Sequence, residues 1–168
     1  DHCPADPKDR QLVQVATDRT HRWLGRCSER FEQDGGVEGT GQALFGIVQG
    51  GAFEDLRKES VEAVAAHDFV GNAIGGVSVG EPEEHMLHQV GLVAPLLPKD
   101  KPRYVMGVGT PPQLLRMVAL GADMFDCTMP TRIGRHGNVL TDEGQIKLRS
   151  SQFREEFNTK LLVEPAYV

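Results

Sequence analysis

Four short apolar runs, each closed by glycine or a polar residue, constrain this chain more than any other feature. They are "ALFGIVQGG", "NAIGGVSVGE", "RYVMGVGT" and "ADMFDC". Their apolar residues are nearly continuous rather than alternating, as expected for strands buried on both faces. Glycine at the exit lets the chain leave a sheet through a tight turn. Helical patterns fill the intervals. Residues 8–34 carry Leu12, Val15, Ala16, Trp23, Leu24, Cys27 and Phe31 between charges, and helices are also predicted over 53–66, across "EEHMLHQVGLVAPLL" and from Pro111 and Pro112 onward. The strands recur at spacings of roughly 20 to 30 residues, which is the pattern of parallel βα units. The fold class is therefore α/β. "GNVLTDEGQIKLRS" interrupts the alternation and reads as a β-hairpin around "TDEG", while residues 151–168 have no clear assignment.

A doubly wound open sheet and a (β/α)8 barrel both fit this alternation. The barrel is preferred because every polar or glycine-rich feature falls just after a strand: Asp1, Gln49 with Gly50, Gly75 with Gly76, Met106 with Gly107, and Asp126 with Cys127. In a barrel these converge on the C-terminal face, where active sites are built. Four strands and the end of a fifth amount to the C-terminal half of a TIM barrel with an inserted hairpin. The chain opens on Asp1 rather than Met and reads as one whose beginning is missing. Residues 1–168 thus form one partial barrel domain.

Composition narrows the function classes. With 39% hydrophobic residues and no long apolar run, the chain reads as globular, without a membrane span or signal peptide, and cytoplasmic by default. Cys3, Cys27 and Cys127 are odd in number and far apart, which argues for reduced thiols against a disulfide framework or a cysteine-rich zinc site. The net charge of −6 disfavours nonspecific nucleic-acid binding by the whole chain, yet the balance reverses locally. Between residues 126 and 154, Arg132, Arg135, Lys147, Arg149 and Arg154 outnumber Asp126, Asp142 and Glu143, so a polyanion could dock there.

Each motif has two readings. A carboxylate at a strand end, such as Asp126, stays ionised at neutral pH and can attack a sugar carbon without a base to activate it; it can equally cap the next segment. Asp123, at the strand entry, fits a turn or surface role. "VQGG" and "IGGVSVGE" offer backbone N–H groups to a planar ligand or simply make tight βα turns. "GVGTPP" resembles a phosphate-cradling turn, a weak signal alone. His85 and His88 suit a solvated helix face better than a metal site. Arg132 and Arg135 fit phosphate contacts or an exposed pair.

Taken together, "LFGIVQGG", "AIGGVSVGE", "KPRYVMGVGTP" and "DMFDCTMPTRIGRHG" resemble the tRNA-guanine transglycosylases, also called queuine tRNA-ribosyltransferases, over about residues 1–150. The resemblance implies a (β/α)8 barrel with a zinc-binding subdomain, and exchange of guanine at the anticodon wobble position of tRNA through a covalent enzyme–RNA intermediate. By the same resemblance Asp126 is the nucleophile, and Asp123 has no catalytic role. Asp1 grips the base at N1 and the 2-amino group, Gln49 and the Gly76 N–H meet O6, and Gly75 and Gly107 belong to the same two loops. Met106 walls the pocket, the Val77 carbonyl accepts from the incoming aminomethyl group, and Glu81 supports that loop. Arg132 and Arg135 contact the RNA backbone.

Cys3 and Val79 resemble the bacterial type, which inserts preQ1; Val79 is expected to exclude bulkier queuine. The segment carrying the family's acid/base Asp and the CxCxxC…H zinc site are expected outside this chain. No metal or cofactor is therefore assigned to these residues, with zinc expected in the complete member. Homodimerisation is implied for the complete protein, and near-inactivity for this chain alone. The alternatives are a non-catalytic tRNA-binding subunit and another sugar-acting barrel enzyme such as a retaining glycosidase.

Overall fold

The computed structural model describes residues 1–142 and 144–151, in two compact units, Asp1–Asp126 and Cys127–Val168. Arg154 and most of the unassigned tail lie outside the described residues.

The first unit begins with α1 (Arg10–Gln33), whose N-terminus is capped by Asp9, its carboxylate accepting from the Leu12 N–H at 3.1 Å. It buries Val13, Ala16, Thr17, Thr20 and Leu24, one stripe at helical spacing. A five-residue helix, α2 (Gly36–Thr40), follows where no element is expected from sequence. Gly35 and Gly36, with φ of +98° and +61°, let the chain turn into it, and Thr40 Oγ1 donates back to the Gly36 carbonyl.

Then come β1 (Phe45–Val48), α3 (Glu54–Ala65), β2 (Gly71–Ile74), α4 (Glu83–Val93) with a 3₁₀ turn over Ala94–Leu96, β3 (Arg103–Val105), α5 (Pro111–Ala119) and β4 (Met124–Phe125). Each expected strand and helix of this stretch is present. The four strands form one parallel sheet in the order β1-β2-β3-β4, so each pairs with the next in sequence and the order never reverses. Val48 aligns with Ile74, Ile74 with Val105, and Val105 with Phe125. Val48, Ile74 and Val105 are fully buried, and their core takes in Val61 and Val64 of α3, Val90 and Val93 of α4 and Met117 of α5. All of β2 is buried, Asn72 included, whereas β1 alternates between half-buried and buried and β4 has no buried residue, so the expectation of burial on both faces holds for β2 alone. Gly71 is required there, since a Cβ would lie 2.2 Å from the Phe45 ring.

The second unit contains α6 (Met129–Arg135), β5 (Asn138–Thr141) and β6 (Gly144–Lys147). The two strands pair antiparallel, Val139 opposite Ile146, as the hairpin pattern predicts. The helix α6 stands where the sequence pattern predicts only a proline turn. Among the described residues no helix is long and apolar enough to cross a membrane.

Candidate active site

Parallel strands bring their C-terminal ends to one edge, and there the first unit collects the residues singled out from sequence. Gln49 follows β1, Gly75 and Gly76 follow β2, Met106 and Gly107 follow β3, and Asp126 follows β4. Hydrogen bonds join them into a row.

At one end of the row, Gln49 is 1% exposed. Its backbone N–H donates to Ser60 Oγ of α3 at 3.0 Å, and the same hydroxyl meets His21 Nε2 of α1 at 3.0 Å. Burial holds the His21 pKa below its usual value, which favours the neutral ring in this contact. The Gln49 side chain donates from Nε2 to Asp1 Oδ2 at 2.5 Å, while Oε1 is buried without a hydrogen-bond partner. Two residues 48 positions apart, both assigned to base reading, therefore meet directly. A Cβ at Gly75 would fall 2.7 Å from Gln49 Nε2, and one at Gly76 2.5 Å from Oε1. Only glycine leaves room for the amide.

The loop after β2 is tied down from within. Glu81 accepts from the backbone N–H groups of Ser78 at 2.5 Å and Val79 at 2.8 Å, which holds Ser78 in the left-handed region at φ +60°. Glu81 thus braces the start of this loop through two backbone N–H groups. Val77 is buried and Val79 exposed. A cavity of about 230 Å³ opens here, lined by Gly51, Gly76, Val79, Glu81, His88 and Gln89 among others. Cys3 is exposed, and all three cysteines are free thiols.

Ser78 Oγ donates to the Gly107 carbonyl at 2.9 Å, which links this loop to the one after β3, where Met106 is half-buried. The Gly107 N–H in turn donates to Asp126 Oδ1 at 2.8 Å, and the Tyr104 hydroxyl donates to the same oxygen at 2.6 Å. The Tyr104 bond first, and the Gly107 N–H second, hold the Asp126 carboxyl below the usual carboxylate range. The same contact pushes Tyr104 up to about 12, so the phenol remains a donor at neutral pH. Asp126 is thus an ionised, exposed carboxylate whose Oδ1 takes both of these donors. Asp123 has a structural task instead: its Oδ2 accepts from the Arg103 N–H at 2.9 Å and ties the start of β4 to β3.

Arg132 and Arg135 lie on α6 of the second unit, both exposed, with Arg132 Nη2 donating to Thr128 Oγ1. His88 bonds Glu54 at 2.9 Å on an exposed surface. Among the described residues no three His, Cys, Asp or Glu side chains gather in a way that could hold a metal ion.

Three participants escaped the sequence reading: Ser60, Tyr104 and Arg57. Arg57 is fully buried and its guanidinium bridges the loops after β1 and β2. Its spacing of four and seven to Val61 and Val64, on the apolar face of α3, was the available signal.

Residues 1–161 match the queuine tRNA-ribosyltransferase family. Among similar proteins, a queuine tRNA-ribosyltransferase of Halothermothrix orenii is 48% identical over 94% of this chain and 40% of its own length. One of Prochlorococcus marinus is 50% identical over 93% of this chain and 40% of its own. One of Gloeobacter violaceus is 47% identical over 99% and 44%. The chain thus spans about two fifths of the length of these relatives. With a match running through every strand end described above, the chain belongs to the queuine tRNA-ribosyltransferase family.

Proposed function

We propose that the whole protein exchanges guanine at the wobble position of a tRNA anticodon for the queuosine precursor preQ1, with Asp126 as the nucleophile. The observation that carries this reading is the row of base-reading groups and one ionised carboxylate along a single sheet edge. Asp126 Oδ2 attacks C1′ of the ribose as the C1′–N9 bond breaks; its electron pair leaves with guanine, which takes up a proton. The incoming base gives up a proton, attacks C1′ from N9 and releases Asp126 as a carboxylate.

Asp1 accepts from N1–H and the 2-amino group, a pattern that adenine does not offer. Gln49 and the Gly76 N–H serve O6, so Gln49 turns from Asp1 toward the base when it enters. Met106, with Gly75 and Gly107 in the adjoining loops, shapes the pocket. The Val77 carbonyl takes the aminomethyl group, with Cys3 and Val79 lining the site and Val79 restricting larger substituents. Arg132 and Arg135 serve the phosphate backbone.

The unreversed strand order supports a (β/α)8 barrel, of which this sheet is half, because doubly wound sheets reverse order at their ligand site. Zinc is assigned to the whole protein and not to these residues, and no step uses it. We place the protein in the cytoplasm, as a homodimer.

The test is a denaturing-gel shift of the whole protein with an anticodon stem-loop RNA carrying UGU. A slow-migrating adduct is expected, absent in Asp126→Asn, with base exchange reduced on the order of 10⁴-fold or more. RNA binding with no adduct in the unsubstituted protein would instead make it a non-catalytic binding subunit.

A further inference from the structure

Arg57 presents a problem in elementary electrostatics. Its position in "EDLRKES" puts a cation on the face of α3 that also carries Val61 and Val64, and it is 0% exposed. A buried guanidinium is tolerated only when its N–H groups find acceptors. Three do: Nε donates to the Gly51 carbonyl at 2.9 Å, Nη1 to that of Gly75 at 2.6 Å and Nη2 to that of Gly76 at 2.9 Å. The acceptors in all three bonds are backbone dipoles. Burial lowers the Arg57 pKa to about 10, with Cys3 and Glu81 acting weakly against it, so the group is still a cation at neutral pH.

The consequence lies on the far side of those peptides. In a trans peptide the N–H points opposite to the C=O, and no peptide bond among the described residues is cis. Fixing the Gly75 carbonyl on Arg57 therefore turns the Gly76 N–H away from Arg57, and fixing the Gly76 carbonyl does the same for the Val77 N–H. Consecutive carbonyls of an extended strand point to opposite sides; Gly76, at φ +64°, brings both onto one cation. A positive charge drawing on a carbonyl oxygen also polarises the peptide and strengthens its N–H as a donor.

We infer that Arg57 is a positioning residue for base recognition, holding the two peptides after β2 so that they present N–H donors, and not carbonyls, to the 6-position of the base. This rests on the reading above that the Gly76 N–H meets O6. Arg57 does not touch the base; it decides which way the group that does so is turned.

The experiment compares binding of guanine and 6-thioguanine by the whole protein, measured by calorimetry. The thione keeps the N1–H and 2-amino group that Asp1 reads and changes only the acceptor at the 6-position. The unsubstituted protein is expected to favour guanine by about tenfold or more. In Arg57→Met, which keeps the length and removes charge and donors, guanine is expected to weaken about tenfold and 6-thioguanine less than about twofold, so the preference collapses. A merely structural role would weaken both alike and leave the preference intact, which overturns the inference.

Should circular dichroism show Arg57→Met unfolded, Arg57→Lys carries the same comparison with a point charge that cannot span all three carbonyls. Equal affinity for the two bases in the unsubstituted protein overturns the inference with no variant at all. A protein that binds neither base and forms no adduct refutes the proposed function itself. An Asp126-dependent adduct with an unchanged preference in both variants removes only the role given to Arg57.

Discussion

At the β1–β2 end of the site edge, Gln49, Gly50, Gly51 and Gly75 are buried, Ser60 holds the Gln49 backbone and Arg57 stitches two loops together. At the β3–β4 end, Gly107 and Asp126 are exposed, and a phenol and one backbone N–H hold the carboxylate. The difference matches the two tasks assigned to these ends. Telling one purine edge from another requires donors whose direction cannot relax, and burial supplies that rigidity, since an unpaired polar group there is expensive. A nucleophile needs access and a negative charge, which burial would remove by raising its pKa.

The sharpest way to break this comparison is to place the same methyl group at each end. At Gly50, φ is +131° and a Cβ would lie 2.6 Å from the Arg57 backbone nitrogen and 2.8 Å from the Leu56 carbonyl carbon, atoms of α3 that cannot yield. Gly50→Ala is expected to destabilise the whole protein by at least about 3 kcal/mol in urea unfolding, through strain and displacement of the helix together. At Gly107, φ is +75° and the nearest atom is Ser78 Cβ at 3.7 Å, an ordinary contact. Gly107→Ala is expected to cost about 1 kcal/mol, the left-handed penalty alone. Equal losses would show that the two ends are equally constrained.

The same contrast governs what could be read from sequence. The strands of the sheet were legible because their runs are rich in apolar residues, although only β2 is buried throughout, and the candidate site positions were legible because each lies at the end of such a run. The helices α2 and α6 were not. Five residues with two glycines, and seven with a proline and a glycine, carry too few turns for a periodic signal. Arg57 reads as a solvated charge inside "LRKES" until its spacing to Val61 and Val64 is counted. The Gln49–Asp1 bond and the Tyr104–Asp126 bond join residues 48 and 22 positions apart, and such pairing is decided by tertiary packing, which no local pattern encodes. Asp123 shows the reverse case: its turn or surface role followed from its place at the strand entry, and it proves to tie two strand starts together.

A smaller effect sharpens the buried end. Ser60 is fully buried, and its hydroxyl stands between the Gln49 N–H and His21. Ser60→Ala leaves the Gln49 N–H without that acceptor in a dry site and is expected to destabilise the protein by about 1–3 kcal/mol. Guanine binding should weaken with it, because the strand end that carries the Gln49 side chain loses its anchor. If calorimetry gives unchanged guanine affinity alongside the lost stability, rigidity at this end serves the fold and not the reading of the base.

The smallest effect is expected at the exposed end. Tyr104→Phe removes the larger of the two influences that hold the Asp126 pKa down and keeps the Gly107 N–H. The sign follows from the carboxylate: with its folded pKa depressed, Asp126 protonates below the ordinary value of about 3.9, and losing a donor moves that protonation upward toward it. A carboxyl carbon titration by NMR should show this rise directly. Near neutral pH Asp126 is ionised in both proteins, so charge is not what changes there. Two effects then oppose each other, since a carboxylate relieved of a hydrogen bond is more nucleophilic but less well aimed. The net fall in base exchange at pH 7 is expected to be modest, roughly threefold to tenfold, because the Gly107 N–H still orients Oδ1. A loss approaching that of Asp126→Asn would mean that the phenol takes part in the chemistry itself, and the exposed end would then be as tightly specified as the buried one.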